Sequence, residues 1–257
     1  MMDQKRLIYP HRSYKKVNAN KYVILKEILV LFFFWLVFTV FVDVFVKGLI
    51  QISQEVLDKV YSLEKSSIAH HKLLFWDVYY IVDFGKYPSS EVSLILIFLS
   101  FLGMIIFLKF PFIRGVSIFF SFVCFILFVS SLYFFFLPEK FPYSLASFSK
   151  IYVDTLLLSW INTGLLAILS VVFFPIKTVL KLSFLIAMYI VLFVIGVVKY
   201  VFVIITIKEY SHLFTPLMFF VFGPVIDFLF FLFLYGMFVN KVLNPTRKDI
   251  DNWRWVD

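Results

Sequence analysis

The sequence predicts an all-α integral membrane protein with about six transmembrane helices, both ends in the cytoplasm, and a structured outer loop between the first two helices. The first observation is composition: 62% of the 257 residues are hydrophobic and only 16% are charged. A soluble domain carries roughly 25% charged residues. A core that could bury this much apolar surface does not exist at this length, so much of it must face lipid. The second observation is how the charges alternate along the chain.

Six apolar runs define the predicted spans. Each reaches the ~20 residues needed to cross a bilayer core of ~30 Å, although the run 92–108 is near the lower limit. Residues that start helices precede two of them, at Pro88–Glu91 and at Thr215–Pro216. The runs are 23–47, 92–108, 115–137, 151–174, 179–207 and 216–240. We therefore expect a basic tail over 1–22, a membrane domain over 23–240 and a C-terminal tail over 241–257.

Positive charge is concentrated on alternate loops. Every arginine and most of the 24 cationic side chains lie in the two tails, between runs two and three, or between runs four and five. The positive-inside rule then predicts that both termini are cytoplasmic. This topology also explains the net charge of +8, so we expect lipid and membrane proteins as partners and no nucleic acid. A bacterial inner membrane fits this pattern best.

The first outer loop, 48–91, is long enough to have structure of its own. Apolar residues recur at helical spacing from Ile52 to Leu63 with charged residues opposite, which predicts a short amphipathic helix on the outer face. The segment from Leu73 to Phe84 is rich in aromatic residues and suits the membrane interface. The loop could be a lid packed on the bundle, a cover for a substrate or a docking surface for a partner.

Two ionisable residues are predicted to lie deep in the membrane. Asp227 is about 16 Å below the outer surface and Lys199 about 12 Å, at 1.5 Å per residue. An unpaired charge at the bilayer centre costs at least ~2.5 kcal/mol on insertion scales. We therefore expect Lys199 and Asp227 to form a pair, or each to face a polar cavity. The pair could bind an ion or a substrate, or it could be a structural salt bridge.

A helix break is predicted one turn before Asp227. Pro224 has no amide hydrogen to donate to the carbonyl of Phe220, and Gly223 precedes it, so the sixth span should be kinked. Broken transporter helices build ion sites in this way. Kinks of this kind are also common in membrane helices that bind nothing.

Other polar residues suggest a site at the outer face. Asp154, Glu209 and His212 are the candidate acids and bases. Asn162, within the fourth span, joins Lys199 and Asp227 as a candidate residue for binding a substrate or an ion. His70 and His71 are adjacent and lack both the spacing and the neighbouring carboxylate of a metal site. The single cysteine, Cys124, rules out a disulfide within the chain. We predict neither a metal nor a cofactor.

One segment resembles a known family. The run Asn162-Thr163-Gly164-Leu165-Leu166-Ala167 is similar to the sequence around the catalytic cysteine of exosortases and archaeosortases. Lys199 and His212 fall near the positions of that family's basic residues. Asn162 stands where the cysteine would be, and a lysine replaces an arginine. The resemblance therefore implies a relative without thiol chemistry.

Three functions follow as hypotheses. The first is a non-catalytic subunit, or an assembly or docking component, of a larger membrane complex, which the scarcity of polar groups favours. The second is a small secondary transporter that uses Lys199 and Asp227. The third is a membrane-embedded enzyme that acts at the outer face through residues such as Asp154, Glu209 and His212.

Overall fold

The computed structural model describes residues 21–61, 67–109, 114–174 and 176–246. Most of the predicted basic tail, the link between the second and third runs, and most of the C-terminal tail lie outside the described residues. The helices are α1 Lys21–Val40, α2 Val42–Tyr61, α3 Ser90–Lys109, α4 Arg114–Phe136, α5 Leu145–Val171, α6 Thr178–Ile205, α7 Thr215–Phe220 and α8 Ile226–Thr246. A two-stranded hairpin, β1 Ser67–Leu73 and β2 Trp76–Val82, lies between α2 and α3.

The described helices include five stretches that are long and apolar enough to cross a membrane. They are α3, α4, α5, the segment Thr178–Tyr210 that begins with α6, and the segment His212–Lys241 that holds α7 and most of α8. Helices α1 and α2 meet at a bend of 51° and form a sixth candidate if they are counted as one broken span. The structure thus agrees with a helical membrane protein of five or six spans.

The bend changes the interpretation of the first run and of the loop after it. The predicted boundary at residues 47 and 48 falls inside α2, which continues without interruption to Tyr61. The predicted amphipathic helix is therefore the second half of α2 and not a separate element. Hydropathy falls at this point because α2 keeps one buried face, with Leu49, Ile50 and Leu57 in the core, while its other face is exposed.

The hairpin is an element that the sequence patterns did not predict. Its strands pair antiparallel, with Leu73 opposite Trp76 at the turn. Trp76 is 4% exposed and Val78 is fully buried on one face of β2, Ile81 is fully buried on the other, and the strand contacts α2 and α5. The Trp76 indole donates a hydrogen bond of 2.8 Å to the carbonyl of Thr39, close to the bend between α1 and α2. The hairpin is thus fastened to the bent pair.

The α3–α4 pair stands at the edge of the bundle. The buried residues of α3 are Ser93 and Ser100, and a Cβ at Gly103 would lie 2.9 Å from the Cys124 sulfur, so the two helices approach through small residues. The pair is attached through α4, where the Ser130 hydroxyl donates to the carbonyl of Leu213 at 2.6 Å. Most of the α3 surface is left uncovered.

Candidate functional site

Lys199 on α6 and Asp227 on α8 form a buried ion pair. The distance from Lys199 Nζ to Asp227 Oδ1 is 2.5 Å, and the side chains are 4% and 1% exposed. Lys199 also donates to the carbonyl of Gly223 at 3.2 Å. The Ser159 hydroxyl donates to the other carboxylate oxygen of Asp227 at 3.2 Å. The expectation from depth that these two residues pair is confirmed, and the chain itself supplies their further hydrogen bonds.

The break between α7 and α8 lies at the predicted residues. Gly223 has φ −81° and ψ −125°, which is not helical, and Pro224 follows it. Carbonyls near the break are bonded by side chains of other helices: Tyr152 donates to Phe222 at 2.9 Å and Lys199 donates to Gly223. Such partners make a break tolerable at membrane depth. The break and the ion pair are therefore one structural unit.

A second polar unit, which sequence reasoning missed, joins the hairpin to the core. The hydroxyls of Ser149 and Tyr200 are 2.6 Å apart, and Tyr200 also accepts from the amide of Ile81 at 2.9 Å. All three residues are fully buried. A tyrosine and a serine separated by 51 residues leave no pattern in the sequence, so this link could be found only from the structure.

Asp154 has a partner that the sequence patterns did not indicate. Its carboxylate oxygens lie 2.9 and 3.1 Å from Nε2 of His71 on β1, and both side chains are half-buried. The expectation that His71 lacks the company of a carboxylate is wrong, because the unanticipated hairpin brings it onto α5. Among the described residues, no group of three or more His, Cys, Asp and Glu side chains could hold a metal.

Glu209 and His212 lie beside the segment that follows the hairpin. Glu209 accepts from Lys86 at 3.1 Å, and both side chains are exposed. The amide of His212 donates to the carbonyl of Lys86 at 2.8 Å. The His212 side chain is 1% exposed and packs near the rings of Tyr87 and Phe141. A Cβ on Gly85 would collide with its Nε2 atom. His212 therefore fills space at a contact between two segments.

The three candidate acids and bases do not form one constellation. Asp154 pairs with His71, Glu209 pairs with Lys86, and His212 is packed between aromatic rings. General acid–base catalysis needs its groups within hydrogen-bond reach of one reacting atom. Each of these residues is instead engaged with a different neighbour.

Asn162 is not bonded to the ion pair. It is exposed, whereas Trp160, Thr163 and Gly164 beside it are buried. Within the described part of the chain its side chain makes no hydrogen bond or ion pair. Asn162, Lys199 and His212, which carry the resemblance to exosortases, share no hydrogen bond or ion pair with one another within the described residues. The candidate assignment of Asn162 to the site of Lys199 and Asp227 is therefore not supported by contacts.

Two neighbouring cavities are lined by aromatic and apolar side chains. The larger, of about 590 Å³, lies between α4 and the start of α7. The smaller, of about 260 Å³, lies against α5 and shares Phe141, Tyr143, Pro216 and Phe220 with it. Neither lining contains Asp, Glu, Lys, Arg or His. These cavities are suited to apolar chains and not to an ion.

No protein-family model matches this chain, and neither the curated proteins nor the solved structures compared with it include a match.

Proposed function

We propose that this chain is a non-catalytic subunit, or an assembly or docking component, of a larger membrane complex. The observation that carries the proposal is that the candidate ion site is closed. Lys199 and Asp227 bind each other, Gly223 and Ser159, and at most 4% of either side chain is exposed. A site that exchanges an ion or a substrate needs ligand groups that are open to a polar cavity. Here Lys199, Asp227 and Ser159 bind one another and so join α6, α8 and α5.

The surface of the bundle supports a role in assembly. Within an apolar stretch of 18 residues, only 11% of the residues are buried in α3 and 22% in α4. The apolar residues of α3 include Phe98, which is 65% exposed, and Leu108, which is 63% exposed. A helix packed against one neighbour leaves most of its surface for lipid or for the helix of another protein.

We infer that the protein is a multi-pass protein of a bacterial inner membrane with both termini inside. The charge alternation along the chain supports this topology. Ion pairs near the two predicted faces are compatible with it: Lys181 pairs with Glu27 near the start of α1, and Lys208 pairs with Asp83 after the hairpin at 2.5 Å. Lys181 is fully buried and also donates to the carbonyl of Val172 at 2.8 Å, which ties α6 to α1 and α5.

A secondary transporter is the alternative, and one observation favours it. At the break, the backbone carbonyl of Gly223 accepts a hydrogen bond from the ammonium group of Lys199. In transporters with broken helices, carbonyls freed in this way bind a cation. If the pair couples to transport, Asp227→Asn would abolish solute uptake while the protein still folds. If the pair is structural, the same change would lower stability.

The proposed function is tested by isolating the full-length chain from its native membrane. The protein, tagged at one end and expressed at its native level, is extracted in mild detergent and analysed by native mass spectrometry. We expect a second polypeptide in a fixed ratio. Recovery of this chain alone, at every detergent concentration that keeps it folded, would contradict the proposal and direct attention to transport.

A further inference from the structure

The exposed asparagine on α5 needs a partner. Asn162 lies 17 residues after the first residue of α5 and nine before the last, so at 1.5 Å per residue it is about 14 Å from the nearer end of the helix. Among the five long helices of the described chain, it is the one exposed Asn, Gln, His or charged residue in a middle turn. A polar side chain at this depth faces hydrocarbon unless another helix satisfies it.

The residues around Asn162 form a continuous stripe. Leu158, Asn162, Leu165 and Leu169 follow each other at intervals of four, three and four residues. At about 100° per residue they fall within a sector of about 60°. Leu158 is 43% exposed, Leu169 is 56% exposed and Leu165 is half-buried, while Trp160 and Ala167 on the opposite side are buried. This is the spacing of a left-handed helix pair, with the asparagine at an a position and Leu158 and Leu165 at d positions.

The polar group at the centre indicates which partner fits. A carboxamide donates through Nδ2 and accepts through Oδ1, so an asparagine complements a second asparagine across a two-fold axis. Copies inserted in the same membrane share one orientation, which makes their α5 helices parallel and places Asn162 of each at the same depth. A single asparagine at an a position also specifies register in parallel pairs.

We propose that two copies of this chain pair through α5, along the stripe of Leu158, Asn162, Leu165 and Leu169, with the two Asn162 side chains hydrogen-bonded to each other. The pairing goes beyond the proposed function and does not depend on it, because it requires only a second copy in the same membrane. It also accounts for an exposed amide that has no partner among the residues the structure describes.

Cysteine cross-linking tests the face. Cys124 is first replaced by alanine in the full-length protein, and Leu169→Cys is then oxidised in native membranes. The matched control is Val194→Cys on α6, because Val194 is 55% exposed against 56% for Leu169. We expect disulfide-linked dimers for Leu169→Cys and Leu165→Cys and little for Val194→Cys. Equal cross-linking at the control position, or none on the stripe, would overturn the proposal.

The asparagine itself is tested by self-association in vesicles. Donor- and acceptor-labelled copies are mixed in liposomes over a range of protein-to-lipid ratios, and energy transfer is measured. Asn162→Leu is expected to raise the dissociation constant about three- to tenfold, the range of polar interactions between membrane helices. Ser183→Leu removes an exposed hydroxyl on α6 that bonds within its own helix, and should change nothing. Unchanged association of the Asn162→Leu protein would refute the role of the amide.

These experiments separate the inference from the proposed function. Stripe cysteines that cross-link in native membranes to a different polypeptide would refute the second copy as the occupant and would support the proposed subunit. A dimer of this chain with no other partner would support the inference and contradict the proposed subunit.

Discussion

The buried pair of Lys199 and Asp227 gives the sharpest prediction about stability. At 2.5 Å, two unit charges attract by about 7 kcal/mol for an effective dielectric constant near 20. Removal of both ions from water offsets most of that attraction. The net contribution of the intact pair should therefore be small, whereas a single partner left behind should be strongly destabilising. We expect Lys199→Met and Asp227→Leu each to lower the free energy of unfolding by about 3–5 kcal/mol.

The double variant separates the two effects. Lys199→Met with Asp227→Leu replaces both ions by apolar groups of similar size, and such replacements are often close to neutral. The double variant should therefore be more stable than either single variant. The free energy of unfolding is measured by reversible denaturation in mixed micelles, and the four proteins give a double-mutant cycle.

An exposed ion pair provides the control. Lys86 and Glu209 lie 3.1 Å apart, but their side chains are 60% and 38% exposed. The same substitutions there should yield a coupling energy below about 1 kcal/mol, as is usual for solvated pairs. The claim of a buried structural pair would be refuted if the single variants of Lys199 and Asp227 lowered the free energy of unfolding no more than the single variants of Lys86 and Glu209. The claim would also be refuted if the loss of stability in the Lys199→Met, Asp227→Leu double variant equalled the sum of the two single losses.

Two further predictions concern the hairpin and the segment after it. Gly85→Ala should lower the free energy of unfolding by about 1–3 kcal/mol, because its Cβ collides with the buried His212 ring. Gly236→Ala, where a Cβ meets nothing within 4 Å, should be neutral or slightly stabilising in the same denaturation assay, and equal effects would contradict the packing argument. Trp76→Phe should cost about 1–3 kcal/mol, since the carbonyl of Thr39 loses its indole donor. A loss below about 0.5 kcal/mol would show that this hydrogen bond does not fasten the hairpin.

Much of the fold could be predicted because membrane helices obey strict local rules. A span must be long and apolar, and a backbone in hydrocarbon must bond within its own helix, so composition along the chain locates the helices. The fixed rise of 1.5 Å per residue also places Lys199 and Asp227 at similar depths from their sequence positions alone. The missing amide hydrogen of Pro224 indicates the break beside them.

Contacts between distant segments decide the rest. The bend between α1 and α2 contains neither proline nor glycine and lies within an apolar run, so neither helix-breaking residues nor hydropathy predict it. The indole of Trp76, from the hairpin, donates a hydrogen bond to the backbone next to this bend. His71 gains its carboxylate only because the hairpin packs against α5, 83 residues further along the chain.

Asn162 shows what one sequence cannot distinguish. Its position in a span is visible from hydropathy, but whether it faces the core or the lipid depends on how α5 is rotated against α1, α6 and α8. That rotation is set by the packing of side chains such as Trp160 and Gly164 between helices, and not by any property of the residues beside Asn162. Local hydropathy therefore indicates which segments cross the membrane and how deep their polar groups lie, whereas the packing of the helices sets which of those groups meet.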